Sequence, residues 1–478
     1  MYVQAQSMFD TDMYLQLLGA IHLVVKGSKV PSDLDTEIGI LPPLQRTILD
    51  IIPLLRPSDS FSSEWYLLLR ELLFFLLSSE VPAERSKNEE SNTGINNGQG
   101  GAANSSFILT KDYQIKSKND VPDVSVSTCI EVVQPPSMPS SEVSSCDTPI
   151  CSWNHLFMEK LIPVIVELFL EAPPSEKCSI FPEVIKALGR CMNTRRDNPK
   201  GSLWRLAVES FNRVLIHDLM VDTNNIKLDA HMYRHARTRI WKEIADVYDI
   251  FLIGSCGRAL SFDGTLEALK ADEMIEMNVL NVLSDMILEA QTDAPVEILQ
   301  RLVSTLDLCV SRTGCLPIDR LELMPSHCSR FSLSCLEMMF SLCRFSFEDD
   351  WPPARSTIST VSINILIKRC EIILKQFLSD ENDLGDLPLP AVRTNETIFV
   401  LQALARLHIH SETAFVLSLP AHLKETIKTS EACASNAHLL ILFPSFCELV
   451  VSREARVREL VQVLLRLVAG ALDLQVRS

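Results

Sequence analysis

Residues Ser452–Gly470 read SREARVRELVQVLLRLVAG. Four arginines fall within the first fifteen of these residues, so the stretch poses a question. It reads as a basic nucleic-acid patch, a helix lying on a membrane surface, or one wall of a larger helical array. Placed at 100° per residue from Val457, Arg458, Glu459, Gln462, Arg466, Ala469, Gly470 and Asp473 gather in an arc of about 120°. Val457, Leu460, Val461, Val463, Leu464, Leu465, Leu467, Val468, Leu472 and Leu474 fill the opposite arc. Arg453, Glu454 and Arg456 break the pattern but sit in the first turn, after Ser452 as N-cap. The apolar face is thus roughly 200° wide. A helix on a membrane surface carries a narrower apolar face and more lysine. The stretch therefore reads as a solenoid wall, beside a partner helix in HLLILFPSFCELVV (438–451).

The same period recurs along the chain. WNHLFMEKLIPVIVELFL, GSLWRLAVESFNRVLIHDLM, RTRIWKEIADVYDIFLIG, MIEMNVLNVLSDMILEA, PVEILQRLVSTLDLCVSR and VSINILIKRCEIILKQFL each show it. Short breaks separate them: APPSEK, NTRRDNPKG, RTGCLP, FEDDWPP and DENDLGDLPLP. Two helices with their turns take about 45 to 50 residues, near the period of HEAT and armadillo hairpins. Several helices are apolar on more than one face, as stacking on both sides requires. The fold expected is all-α, a HEAT/armadillo-like helical-hairpin solenoid. Its first hairpins lie in residues 1–80 and its C-terminal part in 151–478. Between them, 81–150 holds KNEESNTGINNGQGGAANSS and VQPPSMPSSEVSSCDTP. Such a segment cannot bury enough apolar surface to offset the entropy of ordering, so a long disordered insert is expected there.

Composition agrees. The 478 residues are 47% hydrophobic, with only 15 glycines and 6% aromatics. A sheet-based enzyme of this size uses more glycine in its turns. A net charge of −17 argues against nucleic acid as a partner. The longest purely apolar run, Leu72–Leu77, is far below the roughly 20 residues of a membrane span. The residues after Met1 lack the basic and apolar regions of a signal peptide. Fourteen cysteines with no C-x-x-C, among them Cys309, Cys335, Cys370 and Cys447 set among apolar neighbours, fit small buried hydrophobes in a reducing compartment. A cytoplasmic protein is expected.

No catalytic motif emerges, and no cofactor is expected. His231 and His235 have the i, i+4 spacing of two ligands on one helical face, but no third ligand stands nearby; the bland reading, a polar helix start, is favoured. Cys309, Cys315, His327, Cys328, Cys335 and Cys343 are dense but match no zinc spacing, so no metal is expected. Gly254 and Gly257 alone do not make a phosphate loop, which needs more glycines and a lysine. One feature remains. From Lys186 to Lys242 there are twelve Lys and Arg against five Asp and Glu, a net +7 that leaves −24 on the rest. Arg195, Arg196, Arg234, Arg237, Arg239 and Lys242 are the candidate residues. They are expected to form one basic surface for an acidic partner segment or an anionic membrane leaflet. Ordinary solvated charge is the competing reading.

RTRIWKEIADVYDIFLIGSCGRAL, DAPVEILQRLVSTLDLCVSRT, LMPSHCSRFSLSCL, IFVLQALARLHIH and LFPSFCELVVSREARVRELVQVLLRLV together resemble the C-terminal region of the Mon-two (monensin-sensitivity) family in its plant form. The likeness runs through most of the chain from about Cys151. Members of that family are helical-repeat relatives of the large Arf guanine-nucleotide exchange factors that lack the exchange domain. The resemblance implies a non-enzymatic scaffold peripheral to trans-Golgi and endosome membranes. It also implies Dopey-type proteins, a phospholipid flippase and Arf-like small GTPases as partners. The family's N-terminal dimerisation and upstream-homology regions have no counterpart in this sequence. The rival reading is a helical-repeat adaptor outside trafficking, such as a transport receptor or phosphatase scaffold.

Overall fold

The computed structural model describes residues 10–27, 41–57, 62–78, 152–219, 230–258, 265–288, 294–314, 318, 326–344, 353–409, 424 and 434–472. Among them are fourteen α-helices and no strand. They are α1 (Thr11–Gly27), α2 (Pro43–Ile51), α3 (Ser62–Ser78), α4 (Ser152–Glu171), α5 (Pro174–Asn193), α6 (Leu203–Leu219) and α7 (Ala230–Gly254). There follow α8 (Leu266–Leu288), α9 (Val296–Gly314), α10 (Ser326–Cys343), α11 (Pro353–Leu384), α12 (Ala391–Arg406), α13 (Ala437–Leu449) and α14 (Ala455–Ala471). Met1–Glu80 and Ile150–Ser478 make one compact unit. The expected disorder of 81–150 lies outside the described residues.

The helices stack in two rows. Each odd-numbered helix packs on the next odd one, from α1 through α13, and each even-numbered helix on the next even one, from α2 through α14. Cross-row packing of α1 on α2, α3 on α4, α5 on α6, α9 on α10, α11 on α12 and α13 on α14 joins the rows. This is the ladder of helical hairpins that the period predicts, with a continuous core between the rows. Trp204, Phe211, Trp241, Tyr248 and Phe251 fill its middle, fully buried. Phe211 on α6 meets Tyr248 on α7 edge-on at 5.5 Å, a favoured aromatic geometry.

Arginine–carboxylate pairs bolt successive helices within each row. In the odd row Arg301 on α9 reaches Asp246 and Asp249 on α7 at 2.6 and 2.5 Å. Arg369 on α11 reaches Asp307 on α9 at 2.6 Å. In the even row Arg213 on α6 reaches Glu167 on α4, Arg205 on α6 reaches Asp272 on α8, and Arg330 on α10 reaches Glu273 on α8. The more exposed of these pairs, such as Arg213 with Glu167, contribute about 1 kcal/mol or less each. They fix register between layers more than they stabilise them.

Two local expectations change. DENDLGDLPLP is not a break throughout: α11 continues to Leu384, and the turn comes at Gly385, whose φ is +57°. Asp380 and Glu381 stay helical and buried because each has a partner. Asp380 pairs with the buried Arg393 of α12 at 2.6 Å. Glu381 accepts bonds from Ser452 Oγ and the Arg453 amide at 3.0 and 2.7 Å. Second, α14 begins at Ala455, and no side chain bonds its first turn from the N-cap, Glu454. Ser452 bonds the Glu454 amide instead, before the helix starts.

Candidate partner-binding site at the end of α7

The stretch IFLIGSCGRAL closes α7. The helix ends at Gly254, and the Ser255 and Cys256 amides both bond the Phe251 carbonyl. Gly257 then turns the chain with φ +60°, the left-handed conformation that glycine adopts without penalty. A side chain there would also meet a ring: a Cβ on Gly257 would sit 2.5 Å from Phe331 Cδ1. The two glycines thus serve close packing, and neither faces a phosphate-shaped loop.

A helix C-terminus leaves carbonyls without amide partners and carries about half a negative charge. Here three arginines from three elements cap it. Arg312 of α9 donates Nη1 to the Cys256 carbonyl at 2.5 Å, and Nη2 to those of Leu252 and Ile253 at 2.8 and 2.5 Å. Arg258 donates Nε to the Ile253 carbonyl at 3.1 Å. Arg196, from the 3-10 turn Thr194–Arg196 that follows α5, donates Nη2 to the Ile250 carbonyl at 2.9 Å. Its guanidinium lies over Gly254 so closely that a Cβ on that residue would stand 1.4 Å from Nη2. Partial burial, and then the neighbouring charges of Arg312 and Arg196, hold the Arg258 pKa below the ordinary arginine value. No ion pair joins these three arginines to a carboxylate among the described residues.

Beneath them lies a fourth cation. Arg195 is buried, with Nη2 2.6 Å from Glu276 Oε1 on α8 and its guanidinium 4.4 Å from the ring of Trp204. Glu276 also accepts the Gly257 amide at 3.0 Å. Burial pushes the Glu276 pKa up, and Arg195 pulls against it.

The six residues singled out in the sequence do not share one surface. Arg195 points into the core, where it pairs with Glu276 through Nη2 and stacks on Trp204. Arg196 sits at the C-terminal end of α7, while Arg234, Arg237 and Arg239 are near its N-terminal end. Thirteen residues of helix between Arg237 and Ile250 amount to about 20 Å. Arg237 is buried. Arg239 lies 3.9 Å from Glu183 on α5, Lys242 is exposed, and the side chain of Arg234 lies outside the described residues. Because α7 starts at Ala230, Arg239 and Lys242 stand well beyond the first turn, where the helix dipole acts. Only Arg196 belongs to the arginine cluster at the helix end. Arg258 and Arg312, which complete it, were not separable from ordinary charge in the sequence. The available signal was an arginine placed directly after a glycine at the end of an apolar helix.

The buried thiols fit the core expectation at Cys309, Cys335 and Cys370, whereas Cys447 is exposed on the outer face of α13. Among the described residues no group of His, Cys, Asp and Glu is arranged to hold a metal, and no helix is long and apolar enough to cross a membrane.

A two-row ladder of helical hairpins defines a helical-repeat protein. Residues 150–414 match the family model for the C-terminal region of Mon2 protein, and the chain belongs to that family. It is 26% identical over 317 residues to Protein MON2 homolog of Homo sapiens, covering 62% of this chain and 18% of that protein. It is 27% identical over 312 residues to the Xenopus laevis homolog, covering 61% and 17%. Monensin-resistant homolog 2 of Caenorhabditis elegans matches at 26% over 303 residues, covering 62% and 16%. The chain thus aligns with less than a fifth of the length of these relatives. No solved structure matches it.

Proposed function

We propose that this chain is a non-enzymatic scaffold in protein transport between endosomes and the trans-Golgi network. It acts peripherally, from the cytoplasmic side of those membranes. Its edges and loops bind Dopey-type proteins and Arf-like small GTPases and bring them to a phospholipid flippase. The observation that carries the reading is the family match over residues 150–414, on a stretch that folds into stacked hairpins. Stacked hairpins present a long surface in which each layer can hold a different contact.

The test is affinity purification of the tagged chain from cells, with its position followed by microscopy. Recovery of a Dopey-type protein, with signal on trans-Golgi or endosomal structures, is the expected result. Diffuse nuclear signal with recovery of transport cargo or phosphatase subunits would overturn it in favour of an adaptor outside trafficking.

A further inference from the structure

We propose that Arg196, Arg258 and Arg312 form a binding site for an acidic peptide segment of a partner protein, one carrying two or three closely spaced aspartates or glutamates. The proposal deepens the scaffold reading by giving one of its contacts a place and a chemistry.

Three full positive charges converge on one helix end that offers only about half a negative charge in return. Three acidic side chains of the neighbouring helices already have partners. Glu276 is held by Arg195, Asp249 by Arg301 and Thr305, and Asp272 by Arg205. Arg258 and Arg312 share the Ile253 carbonyl, so their guanidinium groups are held next to each other. Arg196 is fixed one turn away, across the bare backbone of Gly254.

Each guanidinium carries five N–H donors in a rigid fork. Arg196 and Arg258 each place a single one on an α7 carbonyl and are otherwise exposed. Arginines held by carbonyls lose less freedom on meeting a carboxylate than free surface arginines do. Bidentate arginine–carboxylate contacts are also the strong, geometry-specific kind.

A peptide suits this site better than a membrane. The chain carries a net charge of −17, so an anionic leaflet would have to bring a broad acidic surface close to its own charge. An extended segment touches the cluster alone. Binding of such a segment is charge-assisted and falls with salt, since exposed attraction is screened beyond about 8 Å at physiological ionic strength.

The experiment uses the full chain and a fluorescently labelled peptide in which aspartates and glutamates alternate with glycine and serine, read by anisotropy. The control peptide has asparagine and glutamine in the acidic positions. Arg196→Gln combined with Arg258→Gln leaves Arg312 to cap α7, and circular dichroism checks that the helices persist. This double variant is expected to bind the acidic peptide about tenfold more weakly or worse. Arg239→Gln combined with Lys242→Gln removes the same charge elsewhere on α7 and is expected to leave affinity within about twofold. Equal loss in the two variants overturns the proposal, as does equal binding of the acidic and amide peptides. So does sedimentation with phosphatidylserine-containing vesicles while the peptide is ignored. None of these readouts depends on cellular position or on a Dopey-type partner, so this site and the scaffold reading fail separately.

Discussion

His438 opens a quantitative test of how the last layers are held. Its side chain is fully buried on α13, with Nε2 3.1 Å from the Leu404 carbonyl on α12. Nε2 therefore donates a proton, and the neutral ring suits the site. Burial lowers the pKa from 6.5 to about 4; the bond to Leu404 opposes this, and His408 adds slightly to it. The folded-state pKa lies below the unfolded one. Below about pH 6.5 the unfolded chain takes up a proton that the folded chain refuses, so stability present at neutral pH is lost as pH falls toward 4. The loss amounts to about 2 kcal/mol between pH 7 and pH 5, and roughly 3 kcal/mol in all. His438→Gln keeps a donor for Leu404 and removes the titration. Glu276 and Glu396, whose pKa values burial raises, favour the folded state toward acid, and they cancel when the two proteins are compared. Urea unfolding followed by circular dichroism at several pH values should give a difference between wild type and variant that changes by about 2 kcal/mol from pH 7 to pH 5. A constant difference would mean that His438 takes up its proton in the fold as readily as in the unfolded chain, as a ring reached by water would.

Other expectations follow from single positions. Leu464→Ala, at a fully buried site on α14, should cost about 2–5 kcal/mol, while Arg466→Ala on the exposed face should cost about 0.5 kcal/mol or less; equal shifts in thermal melts would reject the helical phase. Gly257→Ala should destabilise by roughly 2–4 kcal/mol, from the left-handed backbone and the Phe331 ring together. Gly470→Ala, with nothing within 4 Å of the new methyl, should stabilise by about 0.5–1 kcal/mol, and melts of the pair read the contrast. Arg195→Met leaves Glu276 buried without its cation and should cost about 3–5 kcal/mol, much of it recovered on adding Glu276→Gln; no recovery in the double variant would mean that the Trp204 stacking dominates.

Helical period and row stacking were legible in the sequence because packing on both sides leaves apolar residues at i, i+3, i+4 and i+7 positions. Its limits show in α14. The apolar arc drawn from the sequence held ten residues, yet only Val457, Val461, Leu464, Val468 and the small Ala471 are buried on that helix, and Val463 and Leu467 stay exposed. A helical wheel gives the width of a face but not how many neighbours cover it, and among the described helices α14 packs chiefly on α12 and α13. The same limit applied to charge. Local counts found a basic region, but whether an arginine meets a carboxylate depends on the layer stacked beside it. Glu276 lies eighty-one positions after Arg195, and nothing in either neighbourhood announces the pair. Arg312 was hidden in the same way: its partners are carbonyls, which every residue carries.

The bolts between layers have a mechanical consequence. Each helix grips chiefly the helices before and after it in its row and its partner across the ladder, so among the described residues tension applied between α1 and α14 meets no element that spans the whole array. Extension would proceed by small slips at individual layers, each costing the contacts that join it to the next and, where one is present, an arginine bridge. Layers released in this way re-form from a neighbour that is still folded, without a new nucleus. Such a body behaves as a soft spring. It can lengthen and recoil between two attachments that move relative to each other, and it gives way gradually where a globular core would yield all at once.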